Sequence, residues 1–274
     1  MLTVEEVNGR TAYRRFLELP FALFRSEARW APPVLSYERA RIDGRRNPQL
    51  SGEVRYLLAR RQGRIVGRVF AHEDGRFGGF DVEDEVAGVA LLEAAGDVLS
   101  GPFSFAEEQD GALVAGFDVL GVTGRQWHPP TYQRACEAAG LTRVGERPVW
   151  RIAATIEGPL PRSGGDPPST AGPYADPRLV FRDVAAVPDL APALRSAGPR
   201  SAWAVARRAR QRRWEGCTVV RLDGEPAELV PGIVSAAARA GYRWVLAPWT
   251  PGDSDPETVH AVYGPGGRAS SPSS

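Results

Sequence analysis

The sequence predicts an α/β (α+β) chain, and three stretches carry that expectation. In "VRYLLARRQGRIVGRVFAHEDGRFGGFDV" (54–82) apolar and polar residues alternate around two turn signals, Gln62-Gly63 and Asp74-Gly75, as in an antiparallel meander of three strands. "EDEVAGVALLEAAGDVL" (83–99) follows as a helix with acids in its first turn, where the macrodipole favours them, and with Val86, Val89, Leu92 and Leu99 expected along one face. "PPTYQRACEAAGL" (129–141) reads as a second helix, opened by Pro130 and closed by Gly140.

The other elements follow in order. "TAYRRFLELPFALF" (11–24) has apolar residues at helical spacing, with Pro20 expected to end or kink the helix. Residues 25–53 hold Pro-Pro, Asp-Gly and Asn-Pro signals and predict a long structured loop with one short helix. "GPFSFAEE" and "GALVAGFDVL" read as short strands, and "TRVGERPVWRIAATI" as a strand or hairpin. Residues 157–177 are a Pro/Gly/Ser linker unable to bury a core. The division expected is thus 1–156, the linker, a smaller α/β segment over 178–263 and a disordered tail over 264–274. In the smaller segment "RLVFRDV" reads as strand, "PDLAPALRSAG" and "SAWAVARRARQRRW" as helices, and residues 217–251 as strand, helix and strand. The runs 77–105 and 219–249 share an order of strand, acidic turn, Ala-rich helix and strand, which suggests a remnant internal repeat.

Composition narrows the chemistry. The 274 residues carry a net charge of +1, so the overall balance points to no nucleic-acid partner. All 34 basic residues are Arg, which excludes a lysine Schiff base and a P-loop lysine. Cys136, Cys217 and three scattered histidines have no zinc-like spacing, so no metal is expected. Neither a leader nor a run of about 18 apolar residues is present, which predicts a cytoplasmic protein with no membrane partner. The Arg-rich stretch 200–213 between Trp203 and Trp214 would suit a phosphate backbone, but a solvated basic face, or one meeting the acidic "DVEDE", is the preferred reading.

"RWAPP" (29–33), "NPQL" (47–50), "GRIVGRV", "GRFGGF", "GALVAGFD" and "HPPTYQRACEAAGL" (128–141), in this order, resemble a divergent branch of the Gcn5-related N-acetyltransferase (GNAT) superfamily across roughly residues 10–155. The resemblance implies a mixed, mostly antiparallel sheet that splays between its central strands. It also implies an acyl-CoA whose diphosphate sits on a Gly-rich loop at a helix N-terminus, and transfer of the acyl group to an amine. This chain departs from that pattern. Where the Gly-rich loop should follow "GRFGGF" it has "DVEDEV", and each carboxylate there opposes a diphosphate by on the order of 1 kcal/mol. The same acids also suit a helix cap.

Many family members place a Tyr acid four residues before the Gly that closes the later helix, where this chain has Cys136; a packing role is the expectation there. Tyr132, one turn earlier, matches a Tyr of the branch and is expected to project into the sheet split, with a core aromatic as the plain alternative. His128 is the best-placed general base, and a cap before Pro129 and Pro130 is its plain alternative. Asp118, or Glu107 and Glu108, could supply a carboxylate. Trp30, Phe77, Phe80, Phe117 and Trp127, with Glu53 beside them, are expected to line a small-molecule pocket, with core or hinge packing as the plain alternative for the aromatics.

The function expected is acyl transfer to a small molecule, in specialised metabolism, from acyl-CoA or from a pantetheine borne by an acyl carrier protein. Other chemistry in the same cleft, or a non-catalytic binding or assembly role, are the alternatives.

Overall fold

The computed structural model describes residues 1–30, 32, 35–43, 47, 50–104, 110–119, 121, 127–155, 190–195, 201–207, 216–223, 226–239, 243–248, 250 and 252–266. These residues form one mixed sheet of twelve strands with helices against it. The first half contributes β1 (Leu2–Glu6), α1 (Gly9–Leu23), α2 (Leu35–Ile42), β2 (Val54–Arg61), β3 (Arg64–His72), β4 (Arg76–Val82) and α3 (Glu85–Ala95). It continues with β5 (Ser100–Phe103), β6 (Ala112–Ala115), α4 (Thr131–Ala138) and β7 (Leu141–Ala153). The second half contributes β8 (Leu190–Arg195), β9 (Ser201–Arg207), β10 (Gly216–Asp223), α5 (Pro226–Arg239), β11 (Trp244–Ala247) and β12 (Thr258–Pro265).

The sheet runs β1-β2-β3-β4-β5-β12-β7-β11-β10-β9-β8, with β6 on β12. Its parallel pairs among the described residues are β4–β5 and β10–β11, each joined by a helix. The two halves therefore share a connectivity, meander then helix then parallel strand, of which the sequence comparison covered only the last strand of the meander, the helix and the parallel strand. They also exchange strands: β7 flanks β11, and β12 flanks β5.

Two expected helices are strands. β8 and β9 pair antiparallel with each other, and β9 with β10, so tertiary pairing overrides the helix propensity of their alanines. Pro192, unfavourable inside a helix, sits in β8 at the sheet edge, where a missing N–H is tolerated. Gly264 and Pro265, expected in the tail, belong to β12. The helix α1 continues past Pro20 to Leu23. On α3 the buried face is Ala87, Gly88, Leu91, Leu92 and Ala95, while Val86 is exposed. The linker 157–177, "RLVFRDV", residues 267–274 and the arginines of 200–213 other than Arg207 lie outside the described residues.

Strand alternation gives the first half two faces. Leu57, Ala59, Val69 and Ala71 meet α3 and α4 in the larger core, while Leu58 and Phe70 meet Phe16 and Leu17 of α1 and Ile42 of α2 in a second. A bulge in β4 adjusts this alternation: Arg68 pairs with Asp81 and Phe70 with Gly78, so Gly79 and Phe80 together oppose Val69. Gly79 takes a φ of +55°, open to glycine. Phe77 and Phe80 consequently enter the same core although three residues apart, and Asp81 faces Arg68.

β4 and β5 pair at Arg76–Ser100 and Gly78–Phe103, after which β5 ends and β4 runs on to Val82. The sheet opens there. A Cβ at Gly78 would lie 2.1 Å from the Phe103 carbonyl oxygen, so only glycine permits the approach. Gly78→Ala is expected to force the strands apart and lower stability by about 1–3 kcal/mol in thermal unfolding. An unchanged melting temperature would mean that the pair is not fixed at this point.

Candidate functional site

The opening is filled by charge. Arg68, in the middle of the apolar run of β3, is 2% exposed, and its Nε donates to Asp81 Oδ2 at 2.6 Å. Its other nitrogens donate to Glu38 Oε1 at 3.1 Å and to the Phe16 carbonyl at 2.9 Å. Glu38 also accepts from Arg41, at 2.7 and 3.0 Å, and Arg41 donates to the Ser104 carbonyl at the end of β5. Cation and anion thus alternate from α2 to β4. Burial alone would raise the Glu38 pKa, but Arg41 and Arg68 outweigh it and hold the carboxyl at about 2.

Tyr132 completes the chain. α4 packs on the opposite face of the sheet, and the Tyr132 hydroxyl reaches across the opening to donate to Asp81 Oδ1 at 2.7 Å. Its ring is clamped by Phe80, 5.3 Å away, and Phe24, 6.4 Å away. Burial, then the Asp81 charge and the hydrogen bond to it, raise its pKa well above 10, so the phenol stays protonated.

His128 stacks on Tyr132 at 5.0 Å and 21°, and its other neighbour is the edge-on His260 of β12, at 5.9 Å. The half-buried imidazole loses solvation, which lowers its pKa to about 4 against the upward pull of Asp81; it is neutral at pH 7. The Leu113 N–H points at Nδ1 from 3.4 Å, so the neutral ring carries its proton on Nε2. That tautomer lets the Nε2–H donate a hydrogen bond.

Arg68, Asp81, His128 and Tyr132 line a cavity of about 40 Å³, together with Glu38 and Arg41. This is room for about three waters, enough for reacting atoms and well short of a whole ligand.

The remaining expected residues divide. Phe80 lines the cavity; Phe77, Trp30 and Trp127 form the apolar wall behind it, with Phe117 against them. Trp127 Nε1 and Arg29 both donate to the Phe117 carbonyl, and the Arg29 guanidinium lies 4.6 Å over the Trp127 ring. Asp118 does not join: it is exposed in the turn after β6, and its charge acts on Arg29. Glu53 is exposed at the start of β2, where its N–H bonds Glu73. Glu107 and Glu108 lie outside the described residues. Cys136 is buried in the larger core, which pushes its thiol up to about 12 and suits packing.

The start of α3 is closed by its own acids. Asp84 caps the helix by accepting from Ala87 N at 2.9 Å, and Arg61 clamps it and keeps its carboxyl below the usual range. Arg64 pairs with Glu83 and Arg134 with Glu85, so local arginines meet this acidic turn.

Sequence reasoning missed Glu38, Arg41, Arg68 and His260, and read Asp81 as one acid among four. A usable signal was present: a lone Arg inside Ile65-Val66-Gly67-Arg68-Val69-Phe70 demands a buried counter-charge.

A mostly antiparallel open sheet, flanked by helices and splayed between its parallel central strands, is a GNAT-like fold. No family model matches the chain. A bacterial ceramide synthase of Caulobacter vibrioides (strain NA1000 / CB15N) is 31% identical over 154 residues, covering 48% of this chain and 40% of that protein. The chain thus spans about two fifths of that relative's length. Among solved structures, a tandem GNAT protein from the clavulanic acid biosynthesis pathway gives a TM-score of 0.45 at 12% identity, covering 96% of this chain and 98% of that one. A probable N-acyltransferase of Enterococcus faecalis V583 gives 0.39 at 9%, covering 96% and 72%. Eis1 from Mycobacterium abscessus gives 0.39 at 11%, covering 96% and 71%. Among the described residues no helix is long and apolar enough to cross a membrane, and no group of His, Cys, Asp and Glu has the arrangement of a metal site.

Proposed function

We propose that the protein is an acyltransferase that moves an acyl group from a thioester to a small amine or hydroxyl in the opening beyond the β4–β5 pair. One observation carries this reading: a protonated Tyr132 hydroxyl, seated on Asp81 at the cavity, can take a proton from the acceptor as its own passes to the carboxylate. The acceptor then attacks the thioester carbon, the C–S bond breaks, and the same pair returns the proton to the departing thiolate. The neutral His128, with its proton on Nε2, supplies a hydrogen bond to the carbonyl oxygen as charge gathers there. The ceramide synthase name of the partial relative is consistent with acyl transfer.

The donor is acyl-CoA or a carrier-borne pantetheine. The start of α3, where Asp84 already takes the Ala87 N–H that a diphosphate would need, favours the second, which brings no nucleotide diphosphate, and makes an acyl carrier protein the partner. A role in specialised metabolism is consistent with a small acceptor.

Thiol release from acetyl-CoA and from acyl-pantetheine, over a panel of small amines and alcohols, tests this. Tyr132→Phe is expected to lower kcat by roughly 100-fold with the fold intact by circular dichroism. No release from either donor, or full activity in both Tyr132→Phe and Asp81→Asn, would remove the reading.

A further inference from the structure

We infer that Glu38, on α2, is a positioning residue for the proton transfer at Tyr132, acting through Arg68 on Asp81. The inference rests on the acyl-transfer reading above and deepens it. Asp81 is faced by Arg68 from β3, by Tyr132 from α4 and by His128 from the residues ahead of α4. Behind Arg68 stand Glu38 and Arg41, both from α2. Glu38 is the hub of this group, since it accepts from both guanidiniums while being 2% exposed.

Two carboxylates and two guanidiniums sum to zero. With Glu38 ionised, Arg68 divides its hydrogen bonds between two anions, and Asp81 remains a capable proton acceptor. With Glu38 neutral the buried group carries an extra positive charge, and Asp81 accepts a proton less readily. The hydrogen bond from Arg68 to Glu38 also weakens, because a neutral oxygen replaces a charged one among the three acceptors that fix the plane of the fork.

The test compares pH–rate profiles of the full chain as wild type, Glu38→Gln and Glu38→Asp in the thiol-release assay, with the His128 imidazole titration followed by NMR. For Glu38→Gln, kcat is expected to fall roughly tenfold at neutral pH with KM within about twofold, and the acid limb of the profile to move to lower pH. Glu38→Asp, which restores the charge, is expected to recover most of the loss. The imidazole of Glu38→Gln is expected to titrate below the wild-type value of about 4, because a nearby negative charge has gone.

A packing role alone predicts the reverse: a loosened site hydrates the ring and moves its titration up toward 6.5. That outcome, or an unmoved acid limb with unchanged kcat, overturns the inference. If Tyr132→Phe and Asp81→Asn are inactive while Glu38→Gln matches wild type, this inference alone falls. If all three match wild type, the acyl-transfer reading falls with it. The titration decides the electrostatic part even without turnover.

Discussion

Arg68→Met is expected to lower the stability of the folded chain by about 3–5 kcal/mol, measured by urea unfolding, and to abolish thiol release. The substitution keeps the apolar stem, so lost packing against Phe16, whose ring lies 5.0 Å from the guanidinium, is small. What it removes is the one cation between two buried carboxylates, each then left without a hydrogen-bonded counter-charge on that side. Adding Asp81→Asn to Arg68→Met is therefore expected to recover part of the loss, because one orphaned anion goes with it. A double variant as unstable as the sum of its parts would show that the two residues do not act as a pair.

Stability is expected to fall as pH drops below about 6.5, in two stages. His128 has a folded pKa of about 4 against 6.5 for the free group, so between those values the unfolded chain binds a proton that the folded chain does not. Its contribution is complete above about 6.5 and is lost as pH falls toward 4. The shift corresponds to about 3 kcal/mol, an upper bound because the imidazole keeps a partly exposed edge. Glu38, depressed from 4.5 to about 2, contributes fully above about 4.5 and loses its contribution as pH falls toward 2. Thermal unfolding from pH 7 to pH 4 checks the first stage. His128→Gln should flatten it, and an undiminished slope in that variant would assign the acid sensitivity elsewhere.

Local chemistry made much of the first half legible. Gln62-Gly63 and Asp74-Gly75 turn the β2–β3–β4 meander, with Gln62 at φ 51° and both glycines at positive φ. Asp84 starts α3, and Gly140, at φ 82°, follows the end of α4. What was illegible depends on partners distant in sequence. β8 and β9 are strands because of their pairing, and Val86 faces outward because the Ala87–Gly88 side of α3 packs inward; the Gly88 Cα lies so near Ala135 that a Cβ would come within 2.5 Å of it. The site shows the same limit. Tyr132 and His128 stood out by type and place, whereas Asp81, Arg68 and Glu38 become a unit only when α2, β3, β4 and α4 converge. Asp118 and Glu53 were further candidates in one dimension, and the fold turns both outward.

The position of β12 bears on how the chain is made. Thr258–Pro265 pairs with Leu141–Val149 of β7 and brings His260 beside His128, yet β7 ends at Ala153, so this strand leaves the ribosome roughly a hundred residues later. At about 5–20 residues per second, the nascent first half waits on the order of 5–20 s with the edges of β5, β6 and β7 uncapped. During that interval His128 lacks its His260 neighbour, and the exposed edges invite pairing with a neighbouring nascent chain.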